Sequence, residues 1–237
     1  MSETPEIKEL KLGPLTIRNR LALKLHDLLE ERFALKEVLD EEVFTKLAPT
    51  HLGFLSCFGG ITFFIFLLQV LTGLLLMVYY VPDTEHAYKS VVAITNDIPF
   101  GWVVRGMHFW GATLMVITVL IHMGKIYFSG IYKAPRELNW VTGVTLLLLT
   151  MGFSFTGYLL PWTQLSYWAT VIGTEAPSAM PVVGQYTKTL MLGGQEVSQL
   201  TLSRFFAVHV MILPITTVSL LAAHFLQIRR QGISGPM

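Results

Sequence analysis

Four histidines stand at two nearly equal spacings in apolar stretches of the chain. His108 and His122 are 14 residues apart, and His209 and His224 are 15 residues apart. On α-helices these separations are about 21 Å and about 22 Å along the axis, and 14 residues at about 100° each leave two side chains within about 40° of one face. Two imidazoles that face each other from neighbouring helices can supply both axial ligands of a haem iron.

The segments that carry these histidines are long enough to cross a membrane. Of the 237 residues, 52% are hydrophobic and 14% are charged, whereas about 25% of residues are charged in ordinary soluble domains. A transmembrane helix needs about 20 mostly apolar residues. We expect an all-α membrane protein built as a four-helix transmembrane bundle, with spans at about 55–80, 102–128, 140–160 and 205–228.

The order of the spans determines which histidines meet. The third span lies between the second and the fourth, so these two run parallel. His108 is then level with His209 on one side of the membrane, the positive side, and His122 is level with His224 on the negative side. The pattern predicts two haem sites stacked across the bilayer.

Histidines in membrane helices also occur without haem. A histidine there can form an interhelical hydrogen bond, or it can belong to a proton relay in a non-redox transporter. The transporter predicts a colourless protein, and the haem sites predict strong visible absorbance. The net charge of +1 gives no basis for a nucleic-acid partner.

Four glycines repeat at the histidine spacing. Gly59 and Gly73 are 14 residues apart on the first span, and Gly143 and Gly157 are 14 apart on the third. Glycine inside a helix costs about 1 kcal/mol relative to alanine, so the repeat indicates a need for space, such as the close approach of a flat haem. Packing of helices through small residues also accounts for glycines, but it does not account for the shared spacing.

Residues 1–50 form an extension ahead of the transmembrane domain at 51–237. Residues of about 16–44 predict an amphipathic helix on the membrane surface. Lys and Arg are concentrated in the loop after the second span and in the C-terminal tail, which predicts that both termini are cytoplasmic. The connection from Pro161 to about Arg204 then lies on the positive side, where we expect short surface helices that shape a pocket.

Five stretches of the sequence resemble the cytochrome b6 subunit of cytochrome b6f-type complexes. They read RGMHFWGATLMVITVLIHMGKIY, PRELNWVTGV, FTGYLLPWTQ, TLSRFFAVHVMILPITTVSLLAAHF and IRRQGISGPM. The resemblance covers about residues 25–237, and the chain stops soon after the fourth span, as cytochrome b6 does. It implies a subunit of a quinol oxidoreductase that translocates protons and is inactive alone.

The resemblance also implies roles for the histidines. By it, His108 and His209 ligate the positive-side haem b, and His122 and His224 ligate the negative-side haem b. Arg105 corresponds to a basic residue near the haem propionates, a role that its charge fits.

The single cysteine, Cys57, stands at the start of the first span. One cysteine cannot close an internal disulfide, and free cysteines are common in buried positions, so Cys57 can be an inert packing residue. The resemblance implies a single thioether bond to a third haem, of c type, beside the negative-side haem b.

The sequence departs from the family pattern at two positions. Phe109 stands where the family has a second arginine, and Thr163 stands where it has the aspartate of a PWDQ motif. The second departure favours a bacterial cytoplasmic membrane over a thylakoid membrane.

The implied reaction begins with quinol oxidation at a positive-side pocket near Tyr158, Pro161 and Trp162. Electrons pass through the two b haems to the covalent haem and a quinone, plastoquinone or menaquinone, on the negative side, where Arg229 and Glu42 are candidate contacts. The implied partners are a three-helix subunit-IV-like protein, a Rieske iron–sulfur protein and a c-type cytochrome, in a dimeric complex. A diheme membrane anchor of a dehydrogenase or hydrogenase also uses paired histidines and is the nearest alternative.

Overall fold

The computed structural model describes residues 10–12, 15–17 and 53–231. The chain divides into two compact units, Met1–Leu52 and Gly53–Met237.

A short hairpin is the described part of the first unit. β1 (Leu10–Leu12) pairs antiparallel with β2 (Leu15–Ile17). Apolar residues alternate with polar ones in both strands, which is the period of a strand with one apolar face. The surface helix predicted from about residue 16 is therefore wrong at its start, because residues 16 and 17 belong to β2. The rest of that helix lies outside the described residues.

The regular elements described in the second unit are all helices. A 3₁₀ turn (Phe54–Cys57) leads into the first long helix, and a π turn (Val208–Ile212) joins the last two helices. The helices are α1 (Phe58–Met77), α2 (Ala87–Asn96), α3 (Gly101–Phe128), α4 (Glu137–Leu159), α5 (Gln164–Ser178), α6 (Gly184–Leu192), α7 (Gln199–Ala207) and α8 (Leu213–Gln231).

Four helices in this part of the chain are long and apolar enough to cross a membrane, which confirms the four-span prediction. They are Phe54–Met77, Gly101–Phe128, Glu137–Leu159 and Gln199–Gln231. The fourth begins earlier than predicted because Thr201 Oγ1 accepts a hydrogen bond of 3.0 Å from the Ser198 backbone N–H. This bond caps a polar first turn, which hydropathy does not detect.

Each histidine-bearing helix packs along a glycine-bearing helix. α1 lies against α3, and α4 lies against α8. All four meet in one apolar cluster, where Phe153 and Leu221 pack against a buried group that includes Phe66 and Met115. Phe66 and Met115 stand midway between the repeated glycines of α1 and the histidines of α3, so this cluster separates the two histidine levels.

The connections carry helices of their own. α5 and α6 confirm the short helices predicted between the third and fourth spans. α2, between the first and second spans, was not predicted, since its ten residues have only moderate hydrophobicity. Ala87 of α2 is fully buried in a cluster with Leu159, Leu192 and Leu202, which anchors these connections to the end of α4.

Candidate functional site

The structure brings the imidazole rings of His108 of α3 and His209 of the π turn close together. Their ring centroids are 6.4 Å apart, and their ring planes are inclined by 72°. A bond between a metal and an imidazole nitrogen is about 2 Å long, so one ion between two Nε2 atoms holds the ring centroids roughly 6 Å apart. The observed separation fits two axial ligands of one iron.

His122 of α3 and His224 of α8 form a second pair at the other level. Both side chains are half-buried, and the two rings are close enough to interact electrostatically. The structure thus brings together the same two pairs that the helix order predicts.

The unequal spacings of 14 and 15 residues are reconciled by the π turn at Val208–Ile212. The Leu213 N–H donates to Val208 O, five residues earlier rather than four. A π turn adds one residue without adding a helical turn. The 15 residues from His209 to His224 therefore rotate the helix about as far as 14 would in a regular α-helix, and both imidazoles face α4.

Each of the four predicted glycines lies against one imidazole ring. The distances from an added Cβ to the ring Cε1 would be 2.6 Å for Gly157–His209, 2.9 Å for Gly59–His122, 3.2 Å for Gly73–His108 and 3.6 Å for Gly143–His224. A side chain at the first two positions would overlap the ring. The glycine spacing follows the histidine spacing because the rings themselves need these gaps.

Three threonines that the sequence pattern did not single out hold the ring nitrogens. The distances from Oγ1 to Nδ1 are 2.9 Å for Thr72–His108, 3.1 Å for Thr156–His209 and 3.2 Å for Thr142–His224. Each threonine directly precedes one of the glycines. The Thr-Gly dipeptide at three of the four glycines is therefore the sequence feature from which these threonines could have been identified.

The backbone hydrogen bonds of these hydroxyl groups favour one tautomer of each histidine. Each donates its hydrogen within its own helix: Thr72 to Leu68 O at 2.7 Å, Thr156 to Gly152 O at 2.7 Å and Thr142 to Asn139 O at 2.9 Å. A hydroxyl has one hydrogen, so an oxygen whose hydrogen is bound to the backbone can accept the Nδ1–H of its histidine. Nε2 then keeps its lone pair, which is the tautomer that a metal-bound imidazole with an outer hydrogen bond requires.

Cys57 lies near the level of His122 and His224, whereas Arg105 lies near the level of His108 and His209. Cys57 is exposed and ends the 3₁₀ turn, two residues before Gly59, the glycine that abuts His122. Arg105 is exposed and precedes His108 by one turn, and it has no hydrogen bond or ion pair within the described residues.

The predicted quinol-site residues cluster at the end of α4. Tyr158 is 45% exposed, one residue past Gly157, and Pro161 and Trp162 are half-buried. The segment is held by Tyr80, whose Oη donates a hydrogen bond of 2.7 Å to Leu160 O. Burial raises the pKa of Tyr80, so the phenol remains a donor.

The structure gives less information on Arg229 and Glu42, the two candidate contacts of the negative-side quinone. Arg229 is exposed in the last turns of α8, five residues beyond His224, and interacts with another group. Glu42 lies outside the described residues.

The four apolar helices and the paired histidines define an integral membrane protein with a repeated intramembrane site. A sequence model described as cytochrome b/b6/petB matches residues 43–232, so the chain belongs to the cytochrome b/b6 family. This family implies b-type haem. It does not support the transporter or the dehydrogenase or hydrogenase anchor.

Known proteins match over most of the chain. The menaquinol:cytochrome c reductase cytochrome b subunit of Geobacillus thermodenitrificans is 46% identical over 221 residues and covers 90% of this chain and 99% of that protein. Cytochrome b6 of Heliobacterium mobile is 49% identical over 210 residues and covers 88% and 99%. A chain of a solved hyperthermophilic respiratory Complex III superposes with a TM-score of 0.81 at 34% identity, over 89% of this chain but only 56% of that chain.

The glycine contacts predict a graded loss of haem. We expect Gly157→Ala to push the His209 ring away from His108, because overpacking of this kind costs about 1–3 kcal/mol. Gly143→Ala, whose Cβ would be 3.6 Å from His224, should have little effect. The haem content per chain, measured by absorbance of purified membranes, reports the difference.

Gly124→Ala is the matched control, because nothing lies within 4 Å of a Cβ at that position of α3. It should leave the haem content at the wild-type level. An equal loss of haem in all three variants would contradict the explanation that an added Cβ displaces the imidazole ring.

Proposed function

We propose that this chain is the haem-bearing membrane subunit of a quinol-oxidising electron-transfer complex. The observation that carries the proposal is the facing pair of His108 and His209, 6.4 Å apart. Under it these two residues hold the positive-side haem b, and His122 and His224 hold the negative-side haem b. A haem bound at each level supplies reversible one-electron storage.

The chain's own residues do the positioning. The threonine hydroxyls present Nε2 of three rings, and the glycines leave the rings room to face each other. The apolar layer that includes Phe66 and Met115 excludes water between the levels. The 14 residues from His108 to His122 place the levels about 21 Å apart along α3, so that together they span much of a bilayer about 30 Å thick.

The proposed quinol pocket lies at the level of His108 and His209. Tyr158, Pro161 and Trp162 are candidates for its wall, and a partner subunit would complete it. Their nearness to Gly157 supports this, since that glycine contacts the His209 ring. On the negative side, Arg229 and Glu42 are candidates for the second quinone site.

The proposed partners follow from the relatives. The name of the Geobacillus protein supports menaquinol as the reductant and a c-type cytochrome as acceptor. A Rieske protein and a three-helix subunit would complete a dimeric complex. We place it in a bacterial cytoplasmic membrane with both termini cytoplasmic and residues 1–50 as an extension, and proton translocation would accompany the reaction.

The function is tested by adding a menaquinol analogue to the complex purified from its native host. We expect a reduced haem b spectrum. His209→Leu should remove roughly half of the b-haem absorbance, because it removes one of two axial pairs. His86→Leu, an exposed histidine hydrogen-bonded to Asp83 outside the spans, is the control and should change nothing. A wild-type complex without quinol-reducible haem would overturn the proposal.

A thioether at Cys57 would hold one haem through denaturation, whereas axially bound haems would be lost. We expect haem staining of the chain on a denaturing gel, and no staining of Cys57→Ala. The exposure of Cys57 is consistent with attachment there. An unstained wild-type chain from the native host would show that this thiol carries no haem and would leave the two axial sites in place.

A further inference from the structure

His122 differs from the other three histidines. Its Nδ1 is buried and has no hydrogen-bond partner within the described residues. The position that holds a threonine beside each of the other rings is here occupied by Phe58, which directly precedes Gly59 just as Thr72 directly precedes Gly73. The Phe58 ring packs edge-on against Phe54, with centroids 5.6 Å apart, and offers no acceptor.

Among the described residues, no neighbouring polar group replaces the missing hydroxyl. Lys125 follows His122 by one turn and is half-buried. An ammonium group only donates hydrogen bonds, so it cannot accept the Nδ1–H of a ring whose Nε2 binds a metal. Leaving a buried donor unpaired costs about 1–3 kcal/mol. The difference between His122 and the other rings is therefore energetically substantial.

An outer hydrogen bond changes how strongly an imidazole donates to its metal. When Nδ1–H donates to an acceptor, the ring becomes more basic and a better ligand. A more basic axial ligand favours oxidised iron and lowers the reduction potential, whereas a ring without an acceptor favours reduced iron.

We propose that Phe58 makes the haem site of His122 and His224 easier to reduce than a threonine would. Both rings of the opposite site, His108 and His209, have hydroxyl acceptors, so that site favours oxidised iron more strongly. The difference biases electrons towards the level of His122. Phe58 and the three threonines are thus positioning residues that act through the imidazoles, and the inference rests on the proposed function.

The direct test compares Phe58→Thr with Phe58→Val in the intact complex from the native host. Valine has the shape of threonine without the hydroxyl, so the pair isolates the hydrogen bond from the loss of the aromatic ring. We expect optical redox titration to show that threonine, relative to valine, shifts the reduction equilibrium of the His122 site about tenfold towards oxidised iron, which is 59 mV for one electron. The His108 site should be unchanged.

The reciprocal test removes a hydroxyl from the other level. Thr72→Val should shift the His108 site towards reduced iron, and Thr72→Ser should restore the wild-type potential. This pair decides the matter if the Phe58 variants fail to assemble.

The outcomes separate the two proposals. Equal potentials in Phe58→Thr and Phe58→Val, or an unchanged His108 site in Thr72→Val, would overturn the tuning role while leaving the haem sites in place. A wild-type complex without two haem b transitions would overturn the proposed function itself.

Discussion

The imidazoles of His108 and His209 lie on separate helices across a gap whose width fits one metal ion, and a second histidine pair, His122 and His224, lies at the other level of the same bundle. The ring separation of 6.4 Å at His108 and His209 is the direct measure of that gap. A glycine lies opposite each ring at a cost of about 1 kcal/mol relative to alanine, and a Cβ at Gly157 or Gly59 would displace the ring. The π turn at Val208–Ile212 absorbs the extra residue of the fourth span, so that its two histidines share a face.

Each level pairs two histidines, but the levels differ in their surroundings. The interior between them is apolar, and the charged side chains of α3, Arg105 and Lys125, lie beyond its two histidines, towards the helix ends. Hydrogen bonding to Nδ1 is therefore a local means by which the chain can make one site differ from the other. The two levels diverge at His122, whose Nδ1 has no hydrogen-bond partner in the part of the chain that the structure describes.

Much of this arrangement could be predicted from the sequence, because long apolar segments and intramembrane histidines leave few alternatives. The four spans and the glycine repeat are of that kind. The π turn was not predicted, since an extra residue in a spacing does not reveal how the backbone accommodates it. Thr72 and its counterparts were missed because threonine is common in membrane helices, and only side-chain geometry shows that its hydroxyl meets a ring nitrogen. The strand at Leu15–Ile17 was missed because a period of two over three residues is too short to stand out beside a longer helical pattern.

The pairing of the histidines is tested most directly by electron paramagnetic resonance of the oxidised complex, since each low-spin ferric haem with two imidazole ligands gives its own signal. Leucine variants of His108 and of His209 should each abolish the same signal, and those of His122 and of His224 should each abolish the other. If the His108 and His209 variants removed different signals, or if neither removed one, the facing pairs would not be the ligand sets and the central claim would fail.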